Sequence, residues 1–169
     1  MHLIPHGSTL NPYLSTPRNR LARRLGLPSE ALRRVIIALP GFLCRDKGLD
    51  ILESALEALG EHANKLNIII GGEPQGAIPE WNRDNVYIIL KYLTAEEILM
   101  LSALSHAIVL PYTDPPGKYA VSGILHLVIS STKPVIESRA PRLVELQAYA
   151  PSLTFQSYNI SKLILLFKK

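Results

Sequence analysis

The sequence predicts a single α/β domain built on a parallel sheet of five to six strands. Short apolar runs rich in Val and Ile recur along the 169 residues, and such runs suit strands that are buried on both faces. Segments with helical spacing separate these runs. Pro or Gly follows several of the runs, where a strand has to end. This alternation is typical of βαβ units, in which helices cover both faces of the sheet.

The start of the chain is predicted to be a linker. Residues 1–14 contain two prolines and a glycine and show no apolar periodicity, which is typical of an extended segment. We therefore expect an interdomain linker at 1–14 and one domain at 15–169. Thr16 is expected to cap a first helix that accepts Pro17 in its first turn and ends at Gly26.

Each remaining element has a local signal. Strands are expected where apolar runs meet turn formers, at residues 34–39, 66–70, 86–90, 107–110, 134–137 and 153–155. Helices are expected from leucine spacing at 48–59, a Thr94–Glu97 capping box at 94–103, an apolar run at 121–130, Pro141 in the first turn of 141–149, and an Asn159 cap before 160–167. Residues 73–84, which contain two prolines, are expected to form a loop.

Composition excludes several classes of protein. No uncharged apolar run approaches the roughly 20 residues that a membrane-spanning helix needs, and residues 1–12 do not resemble a signal peptide. The single cysteine, Cys44, excludes an internal disulfide framework and is expected to be structural. The histidines show no metal-ligand spacing, and His126 is expected to be a hydrogen-bonded core residue. We therefore expect a cytoplasmic protein without a metal site.

The positive charge is concentrated near the start of the chain. Residues 1–34 contain six arginines and one acid, Glu30, whereas residues 35–169 contain 12 basic and 13 acidic side chains. A solvated helix face is the favoured interpretation, and no specific nucleic acid is expected as a partner. A face that meets anionic lipid or another domain is a third possibility.

The loop after the first predicted strand is a candidate anion site, because ligands of parallel sheets bind at the carboxyl ends of the strands. Gly41 allows close approach of the backbone, and Arg45 and Lys47 stand before a helix whose N-terminus already favours an anion. The loop is not a Walker motif, and the chain contains no G-x-G-x-x-G. A basic turn solvated at the surface is the alternative.

A second basic loop with a glycine follows the fourth predicted strand. Lys118 precedes Ser122 and Gly123, which stand at the start of a helix and offer a hydroxyl and free N–H groups. Ser122 does not lie in a G-x-S-x-G sequence, so serine hydrolysis has little support. The two residues could instead serve only tight helix packing. Two such loops at strand ends together favour a bound phosphate.

Taken in order, these segments resemble the C-terminal, nucleotide-sugar-binding domain of GT-B glycosyltransferases of the group 1 type. K-G-L-D-I-L in this sequence resembles the K-G-x-x-x-L motif of that family. The stretch that ends in K-P-V-I resembles the family's E-A-M-A-x-G-x-P-V-V region, and the stretch that ends at Glu145 resembles its G-G-x-x-E motif. The resembling segments cover nearly the whole chain, at residues 4–7, 41–50, 68–72, 85–94, 107–112, 122–136 and 142–145.

The resemblance implies a Rossmann-like three-layer domain that is one half of a two-domain, retaining, metal-independent hexosyltransferase. It implies that Lys91 and Tyr92 lie beside the nucleotide base. The residues it implies at the donor diphosphate are Gly41, Arg45, Lys47, Lys118, Ser122 and Gly123. The implied partners are a nucleotide-diphosphate sugar as substrate, with no cofactor, and an acceptor-binding domain or subunit. Without that second half the chain is expected to be inactive.

The sequence also departs from the family pattern. Tyr119 and Leu127 stand where the family often has two glutamates, and Phe42 stands where an arginine commonly follows the first glycine. Asp114 is the nearest carboxylate and could substitute for a missing glutamate only if its loop bends. Two alternatives therefore stay open: a nucleotide-sugar epimerase of similar architecture, and a binding or interaction module that has lost catalysis.

Overall fold

The strands form one parallel sheet with helices on both faces, as predicted. A computed structural model describes residues 8, 10–114, 121–147 and 150–168. The strands are β1 (Val35–Pro40), β2 (Leu66–Gly71), β3 (Val86–Ile89), β4 (Ala107–Leu110), β5 (Val135–Ser138) and β6 (Thr154–Phe155). The helices are α1 (Arg18–Arg24), α2 (Leu49–Leu59), α3 (Ala95–Leu104), α4 (Gly123–Ile129), α5 (Val144–Gln147) and α6 (Ile160–Phe167).

The strand order is β3-β2-β1-β4-β5-β6, so the chain changes direction across the sheet between β1 and β4. The carboxyl ends of β1 and β4 diverge at such a point and leave a crevice there. The loops after these two strands are the two that the sequence proposed as anion sites. The topology therefore brings them side by side.

Two apolar layers stabilise the sheet. One face is covered by α1, α3 and α4, and the other by α2 and α6, each with buried leucines or isoleucines. Apart from Val35 at the start of β1, the residues of β1 and β2 are buried on both faces, which explains why these strands have no polar alternation. Asn85 is buried beside them, and its side-chain amide donates to the carbonyls of Ala63 and Leu66 at 2.8 and 2.9 Å.

The predicted helix starts were right where a side chain caps the helix. Thr94 Oγ1 accepts from the Glu97 N–H at 3.2 Å while the Glu97 carboxylate accepts from the Thr94 N–H, which is the predicted capping box. Asn159 caps α6 in the predicted way. The predicted cap at Thr16 was wrong: Pro17 holds the N-cap position of α1 and makes no side-chain hydrogen bond.

Two further predictions concern the length of one helix and the first residues of the chain. The helix predicted at 141–149 is a 3-10 turn, Pro141–Leu143, followed by one turn of α-helix, α5; residues 148–149 lie outside the described residues. The linker predicted at 1–14 is described only at residue 8 and from residue 10 onward. In that part the buried side chain of Asn11 donates to the Leu99 carbonyl at 2.7 Å and to Ser131 Oγ at 2.6 Å.

One buried carboxyl group stands out in the core. Glu137 lies in β5 between Leu110 and Thr154, the residues opposite it on β4 and β6. Its side chain is fully buried, and neither carboxyl oxygen has a hydrogen-bond partner among the described residues. Burial raises the pKa of Glu137 to about 8, because a low-dielectric environment disfavours the charged form.

Candidate functional site

A cavity of about 510 Å³ lies at the carboxyl ends of the strands, beside the point where the strand order reverses. The β1–α2 loop, the β3–α3 loop and the start of α4 form its walls. Gly41 and Lys47 line it from the first of these, and Ser122 and Gly123 line it from α4. These are four of the six residues that the sequence placed at a diphosphate.

The other predicted site residues have different outcomes. Arg45 is exposed and does not line the cavity. Lys118 lies outside the described residues. Of the two residues predicted beside the base, Tyr92 lines the cavity, whereas Lys91 is turned to the start of α3, where its Nζ lies 2.5 Å from a carboxylate oxygen of Glu97.

Close backbone contact shapes the floor of the cavity. A Cβ atom on Gly72, at the end of β2, would lie 1.8 Å from the carbonyl oxygen of Gly41. Gly41 itself has φ of +113°, and a Cβ there would lie 3.0 Å from Ile124 of α4. The turns after β1 and β2 therefore touch each other, and only glycine fits at their contact. The sequence analysis singled out Gly41 but not Gly72.

Lys47 lines the cavity with a positive charge. It is only 8% exposed, and its Nζ lies 3.9 Å from the centroid of the Tyr112 ring, which attracts a cation through its quadrupole. Among the described residues, no carboxylate forms an ion pair with Lys47. Its charge therefore remains available to an anionic ligand.

An arginine that the sequence analysis gave no role lies next to Lys47. Arg142 lines the cavity with a side chain that is 10% exposed, and its Nε donates to Asp114 Oδ2 at 2.6 Å. Its Nη2 donates to the second oxygen of Asp114 and to Asp46. The guanidinium carbon of Arg142 also lies 5.1 Å from the centroid of the Tyr112 ring, the same ring that Lys47 contacts. The charge of Arg142 is therefore neutralised by two carboxylates.

This ion-pair network joins three loops. Asp46 follows β1, Asp114 follows β4 and Arg142 follows β5. The Thr113 N–H adds a backbone bond to the Asp46 carbonyl at 3.0 Å. The only role that the sequence analysis considered for Asp114 was to replace a missing glutamate. Its fully buried carboxylate is bound by Arg142 instead.

The start of α4 combines a cap with open space. Ser122 is buried, and its Oγ accepts from the Leu125 N–H at 3.3 Å. A Cβ on Gly123 would meet no described atom within 4 Å, so tight helix packing does not explain this glycine. Among the described residues, no acceptor binds the hydroxyl proton of Ser122 or the N–H groups of Gly123 and Ile124, which leaves them as donors beside the cavity.

The rest of the cavity wall is apolar. Leu127 lines it at the position where the resembling family often has a glutamate. Phe42 and Tyr92 form an aromatic pair at its edge, with ring centroids 5.8 Å apart and planes tilted by 48°. Tyr119, the other position of a family glutamate, lies outside the described residues.

Comparison with known proteins shows the fold. No family model and no curated protein matches the sequence. The structure is similar to WaaG, a glycosyltransferase involved in lipopolysaccharide biosynthesis, with a TM-score of 0.70 and 16% identity over 99% of this chain and 47% of WaaG. It is also similar to a glycosyltransferase from Rickettsia africae ESF-5, with a TM-score of 0.70 and 16% identity over 98% of this chain and 46% of that one.

A separate C-terminal domain gives the more complete match. The C-terminal domain of LpcC, a glycosyl transferase group 1 family protein from Francisella tularensis, aligns with a TM-score of 0.67 and 12% identity, over 95% of this chain and 86% of that domain. The chain has the fold of the C-terminal half of a GT-B glycosyltransferase. It spans about half the length of the two full enzymes.

Two titratable side chains of this domain were expected to be structural. His126 is buried in α4, and its Nε2 lies 3.0 Å from a carboxylate oxygen of Glu145. The Cys44 thiol lies 2.8 Å from Asp46 Oδ1, and burial together with this hydrogen bond raises the pKa of the thiol. Cys44 is therefore a poor nucleophile at neutral pH.

Neither a metal site nor a membrane span is found in the described part of the domain. No three His, Cys, Asp or Glu side chains of that part are grouped so as to hold a metal ion. None of its helices has the length and apolar character that crossing a membrane requires.

Proposed function

We propose that this domain binds a nucleotide-diphosphate sugar and serves as the donor half of a glycosyltransferase that transfers a hexosyl group. One observation carries the proposal: two loops far apart in sequence bring Lys47 and the Ser122–Gly123 helix start to one cavity. A buried cation without a carboxylate partner among the described residues, beside free N–H groups, suits a phosphate.

The proposed chemistry is electrostatic. As the glycosidic bond to the donor breaks, negative charge grows on the diphosphate leaving group. Lys47 and the N–H groups at the start of α4 stabilise that charge, and because they are fixed before the reaction, little reorganisation is needed. The Phe42–Tyr92 edge offers an apolar surface to the nucleotide base.

Calorimetric titration with UDP, GDP and ADP tests binding. We expect one of them to bind, and Lys47→Met to weaken that binding by about ten-fold or more, because a charge-assisted hydrogen bond is worth roughly 1.5–3 kcal/mol. Methionine keeps the apolar stem against Tyr112. The matched control is Lys65→Met, which changes an exposed lysine outside the cavity. Equal affinity of folded Lys47→Met and wild type would refute the assignment.

A binding module without catalysis is the second candidate, and Leu127 favours it. Its side chain offers no acceptor to ribose hydroxyls at the place where the family often has a glutamate. We expect the chain alone to bind donor nucleotide modestly and to release no nucleoside diphosphate from it, since the chain spans only the donor half of the GT-B fold. Release well above that of a denatured sample, lost in Lys47→Met, would show that the chain is active alone.

A further inference from the structure

The edge of the sheet opposite the cavity is basic. Arg34 directly precedes β1, Lys65 directly precedes β2, His106 directly precedes β4, and Lys133 stands two residues before β5. These four strands are parallel neighbours, in the order β2-β1-β4-β5. The basic residues therefore lie along one edge, which we call the amino edge.

The positive charges of the amino edge outnumber the acids near it in sequence, which are Glu30, Asp84 and Glu61, the last in the 3-10 helix that ends at Lys65. Arg34 and Lys65 are exposed, and among the described residues no carboxylate pairs with either of them or with Lys133. Glu30 is the acid closest in sequence to Arg34, and it pairs with Arg33 at 3.4 Å. Asp84, which precedes the outer strand β3, follows a basic residue directly.

The position and the lowered pKa of His106 indicate that Arg18 also lies near this edge. Its Nδ1 accepts from the Ile36 N–H at 2.7 Å, which places the ring at the start of β1. Burial lowers the pKa of His106, and the positive charges of Arg18 and Lys133 lower it further. Arg18, from α1, therefore lies within electrostatic reach of the same edge. The charge of this edge comes from arginine and lysine rather than from histidine.

Exposed aliphatic side chains lie among these charges. Val35, the first residue of β1, is 47% exposed, and Ile129, at the end of α4, is 40% exposed. Leu10 is 75% exposed and reaches the same place, because the N–H of the next residue, Asn11, donates to the Ser130 carbonyl at 3.2 Å.

We propose that the amino edge docks on the surface of an anionic phospholipid bilayer. Arginine and lysine bind headgroup phosphates, and aliphatic side chains between them enter the boundary with the acyl chains. Nucleic acid is a poorer fit, because the apolar side chains here are aliphatic, whereas binding of unpaired bases uses aromatic stacking. Docking by this edge leaves the cavity at the carboxyl ends of the strands facing away from the bilayer.

Vesicle co-sedimentation tests the proposal without any nucleotide, so its outcome is independent of the proposed function. The chain is mixed with vesicles of phosphatidylcholine alone or of phosphatidylcholine with phosphatidylglycerol. We expect binding to the anionic vesicles only, and we expect salt to weaken it because salt screens exposed charges. Equal binding to both vesicles, or to neither, would overturn the proposal.

A matched pair of charge reversals locates the surface. Arg34→Glu with Lys133→Glu is expected to lower binding at least about ten-fold, since each basic residue near an anionic surface contributes about 1 kcal/mol. Arg45→Glu with Arg139→Glu makes the same change in charge at two exposed residues of the opposite edge, and is expected to keep most of the binding. Equal loss in both double variants would overturn the location.

Two further measurements separate the sources of binding. Leu10→Ser, at an exposed side chain with little to lose in folding, is expected to weaken the binding that survives at high salt. An unchanged high-salt fraction would contradict insertion of aliphatic side chains. A mixed-sequence oligonucleotide that competes more tightly than anionic vesicles, at physiological salt, would assign the surface to nucleic acid instead.

Discussion

Replacing Arg142 by methionine removes the one described side chain that binds both Asp46 and Asp114. Methionine preserves much of the apolar stem but none of the hydrogen bonds. The Asp114 carboxylate is fully buried and would lose the guanidinium that neutralises it, whereas Asp46 is partly exposed and can be solvated. Breaking a buried ion pair by removing one partner typically costs about 3–5 kcal/mol. We therefore expect Arg142→Met to lower the free energy of unfolding by roughly that amount.

Urea denaturation measures this loss, and a double-mutant cycle assigns its cause. Asp114→Asn alone leaves Arg142 paired with Asp46, so its cost is expected to be smaller. In the double variant the buried carboxylate is gone, and we expect it to be more stable than the sum of the two single losses predicts, by about 1–3 kcal/mol. Arg139→Met, at an exposed arginine three residues earlier, is the control and is expected to change stability by less than about 0.5 kcal/mol.

Two results would refute this reasoning. If Arg142→Met costs less than about 1 kcal/mol, the network contributes little to the fold. If the two single losses simply add, Arg142 and Asp114 are not coupled, and the loss reflects packing against Tyr112.

The remaining predictions concern a buried acid, a helix cap and a glycine. Because Glu137 binds a proton more tightly in the folded than in the unfolded chain, the free energy of unfolding is expected to fall as the pH rises from about 4.5 toward its folded pKa of about 8. Glu137→Gln is expected to flatten that pH dependence in urea denaturation at pH 5, 7 and 9. The same pH dependence in the variant and the wild type would contradict this. Thr94→Ala breaks the capping box and is expected to cost about 1 kcal/mol in thermal unfolding, with a change near zero counting against the cap. Gly72→Ala places a methyl against the Gly41 carbonyl beside the cavity and is expected to weaken nucleotide binding more than Gly76→Ala, which strains the backbone at a φ of +132° but meets no described atom within 4 Å. Equal affinities would show that the two turns can part without effect.

The sequence predicts local features of this fold well. The β-branched runs predicted the strands, and the Thr94 capping box predicted the start of α3, because both signals lie within a few neighbouring residues. Thr16 was misassigned as a cap because Thr and Pro each suit a helix start, and only the backbone shows that Pro17 takes the N-cap position. Competing local signals of this kind cannot be ranked from composition.

The candidate site was predictable only in part. The rule that ligands bind at the carboxyl ends of parallel strands predicts that Lys47 and Ser122 lie at the same edge of the sheet. The strand order, which makes β1 and β4 neighbours and brings both residues to one cavity, was not predicted. Arg45 stands two residues before Lys47 in the same 3-10 turn but does not line the cavity, and no periodicity indicates which of the two enters it. The pairing of Arg142 with Asp114 joins residues 28 positions apart, and such contacts depend on tertiary packing.

The lengths of the strand pairings also have a consequence for local unfolding of the molecule. β1 and β2 pair along six consecutive residues, whereas β1 and β4 pair at two, Ile37 with Ala107 and Ala38 with Ile108. The sheet therefore has two halves, β3-β2-β1 and β4-β5-β6, each formed by strands that are consecutive in the chain. The short β1–β4 pairing between them, which we call the seam, runs beneath the cavity. Separation along the seam is the expected route of partial opening, and amide exchange there should respond to bound anion more than exchange elsewhere. A ligand held by one loop from each half would therefore hold the two halves together across the β1–β4 pairing.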